Sequence, residues 1–401
     1  MLERLQRIRG LILVLLGLAV PVLAGAQRPA GGPFPISLQA GERPADAHVA
    51  MNARGDFAVV WVAPGAQNGQ GAVFVRRFAP GGAPVTGEIP IPSEGTSPIQ
   101  ETGVVMMDDG GFTVLLAEGL QIVARRYGPD GSFLSGRIVA DRADIEFAAA
   151  ARGGHGFILA WTLRDGALPI GSALFVQAFG ADGTPATPAR RVALVDVGLA
   201  THPAVAVGPD GGFVVAWEGS RADPRGPSFV DLYRPLAQRY DAAGNRLGGR
   251  IAVDAEIGAF LVFPRVAVDA AGDFLVVWSR ISGAGLPARK EGIYARRFDA
   301  DGAPLSGVRK LENGRNEPPL LAIDRAGSFV VGWQALQDIP VKLEDIFVQG
   351  FTADGDPLRP PLRVNRPDLA GFGPSLAGDA NGNFVVVWSD LRSLLGQRFR
   401  R

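Results

Sequence analysis

Three carboxylates and one histidine recur at one register position of this chain: Asp46, Glu101, Glu146 and His202. Each stands at the start of a short apolar segment, and the same slot holds Phe263, Pro318 and Gly373 in three further segments. Carboxylates brought together can bind a cation, or one can be held protonated by its neighbours and serve as an acid. The alternative is that they are polar residues at strand entries, facing water in a channel. A second set of candidates lies in longer stretches rich in mixed charge: Arg221, Tyr233, Arg280, Lys290 and Lys342. Long loops on a rigid scaffold commonly carry binding residues, although exposed charge is also the default on any loop.

Much chemistry is missing. The chain has no cysteine, so it has no thiol nucleophile, no Cys-based metal site and no disulfide. Its three histidines, His48, His155 and His202, show no metal-ligand spacing and fall at non-equivalent positions of the repeat described below. No G-x-S-x-G elbow occurs. Gly153 to Gly156 is an isolated glycine-rich turn without the strand and helix of a phosphate loop. Asp299 and Asp301 sit in an Asp-x-Asp-Gly turn, but one such turn supplies too few oxygens for calcium, and a simple Asx turn accounts for it. No cofactor is expected.

The elements that must position these residues are announced by tryptophan. All six tryptophans (Trp61, Trp161, Trp217, Trp278, Trp333, Trp388) follow a phenylalanine by four residues, and Phe112 with Leu116 makes a seventh copy. Ahead of each lies an apolar pair such as Val266-Ala267, then a polar turn usually carrying glycine, as at Gly55, Gly272 and Gly382. His155 takes that glycine place in the third copy and is read as a turn residue tolerating positive φ. The run from Phe213 to Trp217 is apolar on both faces, as a strand covered on both sides must be. A third segment ends in Phe78, Tyr127, Phe179, Tyr240, Phe298, Phe351 or Phe399, with Arg or Gln two residues earlier, read as a hydrogen-bonding wedge between units. A turn and a fourth apolar strand follow.

Four short antiparallel strands repeated seven times describe a seven-bladed β-propeller. The blades span approximately 46–92, 101–141, 146–196, 202–254, 263–313, 318–366 and 373–401. The last lacks a fourth strand, and residues 34–40 match that pattern, so the N-terminal strand is expected to close the ring against Leu395–Phe399. The loops joining strands one to two and three to four are short and stereotyped. Those joining two to three vary, being short in Leu116–Tyr127 and long in Trp217–Tyr240. The face bearing the variable loops and the channel mouth is therefore the expected functional face.

Residues 1–26 read as a secretory signal: Arg4, Arg7 and Arg9, an apolar stretch from Leu11 to Leu23, and small residues ending at Ala26. The mature domain is then 27–401, periplasmic or secreted and monomeric, with no membrane span after cleavage. The formal net charge is +0, which argues against nucleic acid as a partner. The units resemble a tandem repeat of bacterial exported and surface proteins, P-x-V-A-x-D-x-x-G-x-F-V-V-x-W. Phe263 to Trp278 with Ala295 to Pro304 is the cleanest copy, and the blade order resembles TolB-like propellers. That resemblance implies location and architecture rather than an activity. The leading expectation is a non-catalytic exported module that binds a protein or glycan through its variable face. The alternative is a glycan- or ester-cleaving hydrolase or lyase using carboxylates at the channel mouth. Convergence of Asp46, Glu101 and Glu146 near an arginine would favour the enzyme.

Overall fold

The computed structural model describes residues 27–38, 44–63, 71–92, 99–164, 172–192, 200–222, 229–254, 260–281, 292–314, 318–336, 344–390 and 392–401. The signal-like segment 1–26 lies outside them, as do Lys290 and Lys342. Seven antiparallel sheets follow one another as the blades of a propeller. Blade 1 runs from Ala45 to Ile91, blade 2 from Ile99 to Asp141 and blade 3 from Ala143 to Arg191. Blade 4 runs from Ala200 to Ala252, blade 5 from Phe260 to Asn313, blade 6 from Leu320 to Arg363 and blade 7 from Phe372 to Arg400.

The N-terminal segment closes the ring. Phe34 and Pro35 pair antiparallel with Gly396 and Leu395, the N–H of Ile36 donates to the carbonyl of Leu394 (2.8 Å), and Arg28 and Pro29 add a further step opposite Arg400 and Phe399. The closing segment therefore begins earlier than the expected 34–40. Pairing removes an otherwise open sheet edge.

The Trp position is buried in every blade, from Trp278 at 0% to Trp161 at 6% exposed, and Leu116 fills it at 0%. Each lies in an apolar cluster drawn from two adjacent blades: Trp278 packs with Ala204, Ala216 and Ala237 of blade 4, and Trp61 with Val385, Val387 and Leu394 of blade 7. The repeated Phe also stacks on the third-strand aromatic of its own blade, as Phe274 does on Phe298 (4.9 Å, 10°) and Phe384 on Phe399 (4.6 Å, 8°). Face-to-face apolar packing between blades is what fixes the inner strands around a central channel.

Two sequence expectations change here, and a third holds. Gln177, Gln238 and Gln349 donate to carbonyls of their own blade on or just before its outer strand (Thr187, Leu247 and Arg359), because a glutamine is too short to cross to the next. Only the longer arginines wedge between blades: Arg76 reaches Ile36 and Arg296 reaches Val253. His155 is not among the described residues with positive φ; its turn is a short 3-10 segment in which Gly153 and Gly156 supply those angles. The Asp299 turn is the expected Asx turn, its Oδ1 accepting from the N–H groups of Asp301 and Ala303.

Candidate functional site at the channel mouth

Every inner strand pairs with the second strand of its blade, and in each one residue lies opposite the position before Trp. That register holds His48, Gly103, Ala148, Ala204, Arg265, Leu320 and Ser375 in blades 1 to 7. Just ahead of it, six of the seven inner strands carry a bulge. Asp46, His202, Phe263 and Gly373 sit there with φ of 48°, 51°, 56° and 54°. A bulge leaves amides unpaired and re-aims side chains. Asp and His tolerate the left-handed region better than most residues, whereas a bulky Phe263 there is strained, a feature that clusters at functional sites.

The freed amides are satisfied by carboxylates from the preceding blade. Asp46 Oδ2 accepts from Thr102 N (2.8 Å), Glu101 Oε2 from Phe147 N (3.3 Å), Glu146 Oε2 from His202 N (2.6 Å) and Glu218 Oε2 from Phe263 N (3.3 Å). The three acids at the strand entries are thus stitches between neighbouring blades, on consecutive steps around the ring. This gives the strand-entry reading a definite structural form.

The same acids also organise a polar cavity. Its volume is about 310 Å³, and its ionisable lining comprises His48, Glu101, Glu146, His202 and Arg265. The inner strands start from this end, so the cavity opens toward the face of the variable loops. His48 Nε2 lies 3.0 Å from Asp46 Oδ1. His202 Nδ1 lies 3.1 Å from Glu218 Oε2 and its Nε2 3.6 Å from Glu146 Oε1, while its ring meets Phe263 edge-on at 4.6 Å. Arg265 donates to the Pro264 carbonyl (3.1 Å) and has no ion-pair partner among the described residues.

The electrostatics follow from burial and these partners. Burial pushes the Glu101 carboxyl up to about 8, aided by Asp46 and Glu146 and opposed by His48 and the Phe147 amide. Burial works against the imidazolium of His48, but the hydrogen bond and charge of Asp46 outweigh it and raise its pKa. For His202 burial is likewise outweighed, by Glu218 and Glu146. Asp46 titrates low because His48 and Thr102 overcome its burial penalty. Burial lowers Arg265, with Glu101 opposing.

Asp46, Glu101, Glu146 and His202 thus meet around one channel mouth. Of the loop candidates, Arg280 does not join them. Arg280 is buried at 6% exposure on the second strand of blade 5, paired with Asp254 (3.0 Å) and stacked 3.9 Å over Tyr294. It ties blade 5 to the end of blade 4 instead of standing on the rim, because the strand continues past Trp278 to Ile281. Arg221 and Tyr233 belong to an extended hairpin, since Phe213–Ala222 and Phe229–Tyr240 pair as far as Ala222 opposite Phe229. The Tyr233 ring is half-buried and lies 5.8 Å from Phe260. The side chain of Arg221 is outside the described residues.

Sequence reasoning missed His48, Arg265 and Glu218 as members of the site. His48 was set aside as non-equivalent to the other histidines, but two residues past the strand-entry position it aligns with Arg265. A comparison of that second register position across the blades would have singled out both. Glu218 comes from a different strand, immediately after Trp217, and no periodicity links it to the others. Among the described residues no group of three His, Asp or Glu side chains is arranged to hold a metal ion, and no helix is long and apolar enough to cross a membrane.

No protein-family model matches the sequence, and no curated protein matches it. Solved structures are similar in fold alone. An ulvan lyase of a polysaccharide lyase family aligns with TM-score 0.52 at 9% identity, over 90% of this chain and 95% of its own. An α-L-arabinofuranosidase from Fusarium graminearum aligns with TM-score 0.51 at 10% identity, over 92% and 98%. The β-propeller domain of a trilobed protease from Pyrococcus furiosus aligns with TM-score 0.50 at 9% identity, over 90% and 94%.

Proposed function

We propose that the protein is an exported propeller that binds a glycan in its central channel, entered from the face of the variable loops. The observation that carries this reading is the polar cavity of about 310 Å³ in which His48, Glu101, Glu146, His202 and Arg265 converge. A concave site with a few convergent polar groups and shifted pKa values is the default seat for a small ligand. The cavity is on the scale of a sugar unit and lined by donors and acceptors suited to hydroxyl groups. Two of the similar scaffolds are carbohydrate-active enzymes, so this fold can carry a sugar site. The signal-like N-terminus and the resemblance to exported repeat proteins support a location outside the cytoplasm.

A glycan array probed with residues 27–401 tests the reading. Bound glycans are expected to be lost with Ala148→Trp, which fills the cavity from its wall, and retained with Asp301→Lys on the opposite face. Melting curves check that both variants fold. Loss with Asp301→Lys and retention with Ala148→Trp would place binding at the wrong end of the channel.

The convergence of the strand-entry acids beside Arg265, the arrangement expected of an enzyme, favours a second reading, catalysis. Glu101 is held largely protonated at neutral pH beside Glu146, which is the condition of a general acid. Incubation with the array's best glycan, followed by assay of new ends, distinguishes the two: cleavage abolished by Glu101→Gln supports the enzyme, and intact glycan supports the binding module.

A further inference from the structure

The arginines of this propeller are mostly committed to structure. Arg77 pairs with Asp56 (2.8 Å) and donates to Pro129, Arg280 pairs with Asp254, and Arg297, Arg363 and Arg401 pair with Asp269, Asp345 and Asp324. Arg265 differs in two ways. It stands at a register position that other blades fill with Gly103, Ala148, Ala204, Leu320 or Ser375, so the fold itself does not require a long cation there. Its guanidinium meets no carboxylate within ion-pair distance among the described residues and donates to the carbonyl of Pro264; Arg76 and Arg296 likewise meet only carbonyls, but between blades, whereas Arg265 lines the channel cavity.

The acids around it are otherwise engaged. Asp46 is taken by His48 and the Thr102 amide, and Glu146 and Glu218 by His202 and the amides of His202 and Phe263. Glu101 is the acid that Arg265 feels most directly, and burial keeps it largely neutral. A half-buried guanidinium without a counter-ion is costly unless something supplies one.

We infer that Arg265 anchors a carboxylate of the ligand, so that the channel selects a uronate-type acidic sugar over its neutral counterpart. This rests on the glycan-binding reading above and narrows it. A guanidinium offers a planar fork that matches a carboxylate bidentately. The neutral carboxyl of Glu101 offers an O–H donor to the same group. Three further carboxylates nearby (Asp46, Glu146 and Glu218) disfavour a doubly charged phosphate or a polyanion, whereas a single negative charge matches the one cation of the cavity lining without a counter-ion among the described residues.

Calorimetric titrations with matched disaccharides test it: cellobiouronate against cellobiose, and digalacturonate against galactobiose, with inorganic phosphate as a further probe. At least one uronate is expected to bind tenfold or more tightly than its neutral partner, and phosphate more weakly than that uronate. Arg265→Met is expected to abolish the preference, weakening the uronate at least tenfold more than the neutral sugar, and Arg265→Lys to keep part of it. Equal binding of acidic and neutral sugars, or a preference that survives in a folded Arg265→Met variant, overturns the inference while leaving glycan binding in place. Tight phosphate binding lost in Arg265→Met overturns the uronate assignment in favour of a phosphate site. Failure of every sugar to bind, on the array as well as in these titrations, overturns both readings.

Discussion

The Trp position and the strand-entry position occur once in each of the same seven blades, yet the molecule uses them in opposite ways. The first holds Trp in six blades and Leu in one, always buried against the preceding blade. The second holds Asp, Glu, Glu, His, Phe, Pro and Gly in turn. A position that meets an identical neighbour at every step needs an identical residue. A position facing a shared channel meets all the others at once, and there variety builds a site. The rim is itself uneven: blades 1 to 5 carry its charges and its carboxylate stitches, while blades 6 and 7 contribute Pro318, Leu320, Gly373 and Ser375.

The sharpest way to break this comparison is at the aromatic position. Trp278→Ala is expected to cost ~3–5 kcal/mol, the range for emptying a buried aromatic site, with unchanged ligand preference in whatever fraction remains folded. Urea unfolding measures it. A cost below about 1 kcal/mol would mean that the blades do not depend on this packing.

A rim stitch is expected to matter less. Glu146→Ala removes the acceptor for the His202 amide and a partner of its ring, and is expected to cost ~1–3 kcal/mol, as for a buried donor left unsatisfied. Unlike the Trp change, it should also lower the pKa of His202, read from its ring-proton NMR titration. An unchanged His202 titration would separate Glu146 from the site.

Glu101 links the rim to pH. Its folded pKa, about 8, lies above its unfolded value. The stability this contributes is full below about pH 4.5 and is lost as pH rises toward 8, with a slope of at most ~1.4 kcal/mol per pH unit for one proton. His48 and His202, also raised, lose their contribution as pH rises above about 6.5, and Asp46, lowered, loses its own only below about pH 4. Melting temperature is therefore expected to fall from pH 5 to pH 8, and Glu101→Gln to flatten part of that fall. An identical pH profile in the variant contradicts the assignment.

The smallest effect is expected on the uncharged side of the rim. Gly373→Asp places in blade 7 the residue that blade 1 carries at nearly the same φ, and no atom lies within 4 Å of the added Cβ. A cost of about 1 kcal/mol is expected, that of placing a non-glycine residue in the left-handed region. A large loss would show that blades 6 and 7 differ for reasons of backbone and not of function.

The blade count, the strand order and the closing strand were legible because they depend on local patterns: Phe and Trp four apart, Gly in the turn before them, and an unpaired strand at each end. The entry carboxylates were legible as a register position, and they do meet. Their stitching was not, because it depends on bulges that free particular amides, and no side-chain pattern marks a bulge. Arg265 and Glu218 escaped because the site forms across blades, between residues whose separation in sequence carries no signal. Arg280 misled for the converse reason: charge after a Trp looks like loop, yet the strand runs on and buries it.

The central claim is that the arc of blades 1 to 5 at the channel mouth is where the ligand sits. The chain has three histidines. His48 and His202 line the cavity, whereas His155 belongs to a turn between first and second strands, at the opposite end of blade 3. Ring-proton NMR during titration with the best-binding glycan reads all three at once. The account predicts that the signals of His48 and His202 shift together and saturate at the calorimetric affinity, while that of His155 stays fixed. Saturable binding that moves His155 alone, or leaves both cavity histidines unmoved, would contradict it.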